Sequence, residues 1–267
     1  MKAYLRYSPF VALLFPFAFA FGGDYHVAFN PGEDLLFRIR WGAMVGGYST
    51  LTVPEIQLKD GRPAYHIVSE ARSTAFVDTF YKVRDKNEAW LDTNTPRSLG
   101  YAKQLHEGKY RVEESVRFDP ATNRYYMEEH RLDKKKRQSK EGDIPANVFD
   151  ILSSFYYVRG MTLVVGQTIS VDVHNGDKTW PLLVAVKKME RVKVKAGKFE
   201  CYLLEPQLRE SGLFIQKGKK LQVWVTADER HMPVQMRCDI KLGSVTAELV
   251  KIRRADPASP SLARLVE

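Results

Sequence analysis

Two cysteines, six histidines and a few adjacent carboxylates are the residues of this 267-residue chain whose types could carry chemistry. Cys201 and Cys238 sit in alternating apolar stretches, one beside Phe199 and Leu203, the other beside Met236 and Ile240. A nucleophilic thiolate needs an electropositive, accessible setting, so these positions read as buried small hydrophobes or as one disulfide of an oxidising compartment. Strands two apart lie roughly 9.6 Å from each other, so the disulfide requires the sheet to fold over. The histidines, at 26, 66, 106, 130, 174 and 231, show no pair at i, i+3 or i, i+4 and no His-Glu-x-x-His. No metal site and no other cofactor is therefore expected. Glu113-Glu114 and Glu128-Glu129 are neighbours on strand-like segments, and adjacent strand residues point to opposite faces. They cannot converge on one bond. No Gly-x-Ser-x-Gly elbow, phosphate-binding loop or dinucleotide glycine fingerprint occurs. The catalytic list is empty, and only a hydrolase assembled from distant strands would escape this search.

Side chains that could bind without reacting offer more. Apolar residues at 148, 151, 152, 155 and 158 follow the spacing of one helix face and predict a helix over 146–159. With Ile151 and Phe155 inward, Tyr156, Tyr157 and Arg159 would line the mouth of a concavity. Trp224 alternates with Val223 and Val225 and is expected on the polar face with Gln222 and Thr226, where a large aromatic marks an interface or a ligand. Tyr156, Tyr157, Arg159 and Trp224 are thus the candidate ligand-binding residues, while Trp41 and Trp180 are assigned to the core. The cluster Arg131, Lys134, Lys135, Lys136, Arg137 and Lys140 reads first as a solvated loop, because Asp133, Glu141 and Asp143 interleave with it. Its other reading is a footprint for phosphate-bearing lipid or glycan.

The elements that must position these residues are mostly strands. The composition is 44% hydrophobic and 27% charged, which excludes disorder, collagen and a polytopic membrane protein. Leu35, Phe37, Ile39 and Trp41 alternate with Leu36, Arg38 and Arg40, and similar period-2 runs recur to Val234, Met236, Cys238 and Ile240. Turn signals such as Asn175-Gly176 and Ala196-Gly197-Lys198 separate them at hairpin spacing. Strands are predicted at 33–41, 45–53, 64–73, 84–92, 98–105, 109–118, 123–132, 168–174, 179–187, 189–195, 199–208, 220–226, 233–241 and 244–252. A helical turn near 74–80 is the other departure from this pattern.

At the start, Lys2 and Arg6 precede an apolar run that ends near Ala18-Phe19-Ala20, the pattern of a secretory signal peptide over 1–20. Its removal takes two basic residues and no acidic one, so the net charge falls from +9 to +7. That charge reads first as a means of solubility; its other reading, in an exported chain, favours anionic lipid or acidic glycan over nucleic acid. No later segment has the roughly 20 apolar residues of a spanning helix, so no transmembrane anchor is expected in the mature form.

The order of several segments carries a resemblance. Phe29-Asn30-Pro31-Gly32-Glu33, Trp41-Gly42-Ala43 with Gly46-Gly47, Phe149 to Arg159, Ala196-Gly197-Lys198-Phe199-Glu200-Cys201, Leu221 to Pro233 and Gly243 to Leu249 together resemble the bacterial domain-of-unknown-function family 3108. The resemblance implies an exported β-rich protein of Gram-negative bacteria and no established activity. The sequence is therefore read as all-β, a strongly curved antiparallel sheet or open or closed barrel of about 12–14 strands with one short helix. One domain is expected over 21–255, its strand groups at 29–132 and 167–252 joined through a charged loop and helix at 133–160, with a tail at 256–267. The expected function is a non-catalytic periplasmic protein that holds a hydrophobic or amphipathic ligand, or an envelope glycan, in the concavity. The rival is an assembly partner for another envelope protein, through a sheet edge or the Trp224 face.

Overall fold

The computed structural model describes residues 25–207, 220–240 and 243–254; the leader at 1–20 and the tail at 256–267 lie outside the described residues. All strands join one antiparallel sheet. Its middle is β1 (Glu33–Trp41), flanked by β2 (Met44–Val53) on one side and by the last strand, β15 (Ser244–Arg254), on the other. Beyond β2, a short β3 (Ile56–Lys59) folds onto β4 (Arg62–Ser73), and the sheet continues through β5 (Arg84–Asp92), β6 (Ser98–Glu107), β7 (Tyr110–Asp119), β8 (Arg124–Arg131) and β9 (Lys136–Asp143). Beyond β15 it runs back through β14 (Pro233–Asp239), β13 (Leu221–Thr226), β12 (Gly197–Gln207) and β11 (Lys178–Val194) to β10 (Thr168–Asn175). Among the described residues two helices interrupt the strands, α1 (Ala75–Asp78) and α2 (Ile151–Arg159). No helix among the described residues is long and apolar enough to cross a membrane.

Period-2 alternation gives most of the strands one apolar face, and a sheet this long buries that face by curling upon it. Phe118 and Tyr125 from one wing and Val173 and Val184 from the other belong to a single buried cluster, together with Leu35 and Phe37 of the middle strand. The outermost strands, β9 and β10, approach without pairing. Side chains close the gap: Gly176 N–H donates to the Tyr101 hydroxyl at 2.7 Å, that hydroxyl donates to Glu114 at 2.7 Å, and Lys140 meets Asp177 at 2.5 Å. Backbone bonds from 144–150 add to this. Val148 C=O accepts from Ser98 N–H at 3.1 Å, while Phe149 exchanges bonds with Asp172 and His174 of β10 at 2.9 and 2.8 Å.

The predicted strands are present; β3 is an additional strand, and three further differences stand out. The segments expected at 179–187 and 189–195 form one strand, β11, bulged between Val186 and Lys188 where the break was placed. β9 runs through the stretch read as a charged loop; as an edge strand with Lys136, Arg137, Lys140 and Glu141 exposed it needs no apolar alternation. The helix starts at 151, not 146, because the buried Asp150 carboxylate accepts from Leu152 N–H at 2.8 Å and Ser153 N–H at 3.0 Å and from Ser98 Oγ–H at 2.7 Å. Residues 146–147 form a turn ahead of it, and Val148 and Phe149 are buried outside the helix.

The two ends of the curled sheet differ. At the end where β1 begins, α2 and residues 25–30 fill the opening. At the other end, β4 passes to β5 through α1, whose cap Thr74 accepts from Val77 N–H. Asp78 is paired with Arg84, and Gly108 N–H of the β6–β7 turn donates to Lys82 C=O at 2.8 Å. Beneath this turn Asp85 and Glu107 face each other; Asp85 Oδ1 accepts from His106 N–H at 2.9 Å, and its Oδ2 has no donor. Burial, with the Asp85 charge beside it, pushes the Glu107 carboxyl up to about 7, and burial raises Asp85 as well. A protonated Glu107 carboxyl would be the donor that this pair lacks. The folded state thus holds a proton that the unfolded chain releases above about pH 4.5, so this pair's contribution to stability is fullest below that pH and falls as pH rises through about 7. Thermal melts between pH 5 and 8 should show a falling Tm for the wild type and a flatter profile for Glu107→Gln.

Candidate functional site

Helix α2 carries three of the four predicted site residues. Its last residue, Arg159, is 1% exposed, and its guanidinium donates to both Glu33 carboxylate oxygens at 2.7 and 2.8 Å. Further bonds reach Arg230 C=O at 3.3 and 3.4 Å, and the Tyr156 hydroxyl donates to the same Glu33 oxygen at 3.4 Å. The guanidinium lies 4.7 Å from the centre of the Tyr156 ring. Burial lowers the Arg159 pKa, the Glu33 carboxylate raises it, and the net direction is up. Tyr156 is 0% exposed, and burial next to Glu33 raises its phenol far above the ordinary range. Ile151, expected inside, is 40% exposed. The helix is therefore turned relative to the expectation, with Tyr156 and Arg159 at its buried side and not at a rim. The cause is charge: a guanidinium finds its carboxylate at the start of β1, on the inside, and the anchored Asp150 cap sets the phase of the first turn.

Tyr157 stacks between Phe149 and Tyr25, with ring centres 4.5 and 5.1 Å away, and burial raises its phenol. The segment 25–30 lies across the end of α2, where His26 N–H donates to Gly160 C=O at 2.9 Å. The His26 carbonyl and the Tyr25 ring occupy the space that a Cβ at residue 160 would need, so this close approach requires glycine. His231 Nδ1 meets Arg159 C=O at 2.6 Å, and burial lowers the His231 pKa.

Trp224 lies elsewhere. As period 2 demands, it is on the opposite face from Val223 and Val225, which belong to the main core. It is nevertheless only 8% exposed: Val192, Cys201, Leu203 and Val234 pack into a second small cluster with it, and its indole N–H donates to Glu190 at 2.8 Å. Burial pushes the Cys201 thiol of this cluster up to about 12, and Cys238 is a second buried thiol. Trp41, assigned to the core from its alternation, is instead 44% exposed beside the β1–β2 turn, where the strand outruns the core; Trp180 is half-buried against the main cluster. The sequence-based set is therefore split between the plugged end and the outer face of β13.

Sequence reasoning missed the exposed aromatics at the open end. Phe76 is 65% exposed, Phe80 63% and Tyr81 48%, with the two phenylalanine rings edge to face at 5.8 Å. The available signal was a pair of aromatics at i, i+4 in the connection between the adjacent strands β4 and β5. On the outer surface near the plugged end, a groove of about 300 Å³ is walled by Arg62, Arg117, Asp119 and Pro120. No group of three or more His, Cys, Asp or Glu residues that could hold a metal occurs among the described residues.

A curled antiparallel sheet whose concave side is packed with its own side chains and one helix defines a β-barrel-like protein. The chain belongs to the family described as protein of unknown function DUF3108, whose model matches residues 36–250. It is similar to the solved β-barrel-like protein of domain of unknown function DUF1849 from Brucella abortus, at 10% identity and a TM-score of 0.56, over 84% of this chain and 98% of that one. A candidate exported protein with a YmcC-like fold from Bacteroides fragilis aligns at 8% identity and a TM-score of 0.38, over 86% and 99% of the two chains. A candidate lipoprotein from Parabacteroides distasonis aligns at 9% identity and a TM-score of 0.36, over 86% and 100%. The Brucella structure supports the fold and nothing further. No curated protein matches the chain.

Two substitutions test these assignments. Arg159→Ala strands a buried carboxylate and should cost about 3–5 kcal/mol in denaturant unfolding, whereas Arg159→Met combined with Glu33→Gln should cost far less than the sum of the single changes. Trp224→Ala should cost about 3–5 kcal/mol as a core truncation; a loss near 1 kcal/mol would return that residue to a surface role.

Proposed function

We propose that the chain is an exported, non-catalytic envelope protein that recognises an amphipathic ligand or partner with its outer surface. Supporting export is the basic start and apolar run that end near Ala20. What carries the surface reading is the filling of the concave side: Phe37, Leu91, Phe118 and Tyr156 pack into one buried cluster there, and the Arg159–Glu33 pair sits across the end that a ligand would enter. Large apolar side chains stand instead on the exterior, with Phe76 and Phe80 the most exposed aromatics. An assembly role through strand addition is less well supported, since the β9 edge carries Lys136, Arg137, Lys140 and Glu141, the kind of charge that discourages strand addition. An envelope glycan remains within the same surface reading through Tyr81 and the neighbouring cations.

Native mass spectrometry of protein taken from its own periplasm and washed at high salt should give the bare chain, beginning between Phe21 and Asp24. A small molecule retained one per chain through that wash would put the ligand inside and overturn the surface reading. A start at Met1 in a membrane fraction would overturn export.

A further inference from the structure

We infer that the open end of the sheet, formed by α1 and the β6–β7 and β8–β9 turns, docks on an anionic lipid surface. The inference rests on the outer-surface reading and names its partner. The three segments form one continuous rim. Gly108 of the β6–β7 turn packs against the Tyr81 ring and donates its N–H to Lys82 C=O at 2.8 Å. Leu132 N–H, entering the β8–β9 turn, donates to Arg111 C=O at 3.0 Å, and the Arg131 guanidinium covers the Tyr110 ring at 4.4 Å. Along this rim Phe76, Phe80, Tyr81, Tyr110 and Leu132 are all at least 37% exposed.

Cations alternate with these apolar groups. Lys82, Lys109, Arg111, Lys134 and Lys135 are exposed and make no ion pair among the described residues. The acids of the rim are already engaged: Asp78 is paired with Arg84, Asp133 with Arg131 at 2.9 Å, and Glu107 is turned toward Asp85. The free charge is thus of one sign. That combination, protruding aromatics with unpaired lysine and arginine between them, matches an interface of phosphate headgroups over acyl chains, where rings lie at headgroup depth and long cationic side chains reach phosphates. A protein partner fits less well, because interface centres are depleted in lysine and these residues crown turns. The rim spans β5 to β9, about 20 Å across at ordinary strand spacing, room for several headgroups. It is also the end away from residues 25–30, which pack on Gly160 at the plugged end.

Flotation of the leader-cleaved protein with vesicles tests the assignment. Phosphatidylcholine vesicles containing roughly a third phosphatidylglycerol should bind at least about tenfold more protein than phosphatidylcholine alone, and binding should weaken as salt is raised. The double variants Phe76→Ser/Phe80→Ser and Lys134→Glu/Lys135→Glu should each weaken binding about tenfold with Tm unchanged, because these side chains are exposed. Equal binding to neutral vesicles, no binding to either, or full binding by both variants overturns the inference. In cells, a photoreactive phenylalanine at position 80 should crosslink to lipid; capture of a polypeptide overturns it in favour of a protein partner. Failure on vesicles with a bare chain in the mass spectrum rejects only the membrane partner, whereas a retained internal ligand rejects the surface reading itself.

Discussion

A guanidinium buried to 1% exposure must be paired, and much of the plugged end follows from how Arg159 is paired. Its carboxylate comes from Glu33, the first residue of β1, so the end of α2 is tied to the middle strand of the sheet. Its remaining donors reach Arg230 C=O, which draws in the loop between β13 and β14, and its own carbonyl receives His231. Residues 25–30 then lie over the helix end, Tyr25 on Tyr157 and Phe29 on Tyr156. Such a pair adds less net stability than its short distances suggest, because both ions gave up water to make it. What it fixes is position: with a unique buried partner, the helix has one rotation and one depth.

The rest of the architecture answers a second constraint, that a long sheet with one apolar face must cover it. Curling lets the wings cover each other, and α2 occupies what curvature leaves over. The edges need not hydrogen-bond to one another for this to work. Strand β10 takes its backbone partner from residue 149, and β9 stays at the margin as a charged strand tied by Lys140 to Asp177. A barrel-like shape thus arises without strand closure, and its two mouths are free to differ in chemistry.

Much of this was legible in the sequence wherever one face of a strand is dry. The first strand was bounded to the residue, and the break expected near 188 corresponds to a real bulge. The segment order that resembles family 3108 agrees with the family match over 36–250. β9 was not legible because neither of its faces is dry, and β3 because four residues give too few alternations. The apolar spacing at 148–158 correctly indicated a helix but misplaced its start, since Val148 is buried as extended chain and an Asp cap is invisible to periodicity. Local pattern put Trp224 on the outer face; that Glu190, Val192 and Leu203 cover it there depends on strands adjacent only in space. The exposed aromatics Phe76, Phe80 and Tyr81 belong to a short connection between β4 and β5, where nothing local separates a protruding ring from a packed one.

The pairing of β1 with β15 also dictates an order of events. Residues 33–41 meet 244–254 across more than 200 positions of chain, so the strand at the centre of the sheet lacks one of its two neighbours until the last strand is available. In a chain made or threaded N-terminus first, the first wing can assemble as local hairpins, but the central seam closes only at the finish. Loop-closure entropy makes such a contact slow to form. Until it forms, one edge of β1 has unpaired backbone groups, the feature by which nascent β proteins aggregate. A chain with this topology cannot complete its sheet until its last strand has emerged.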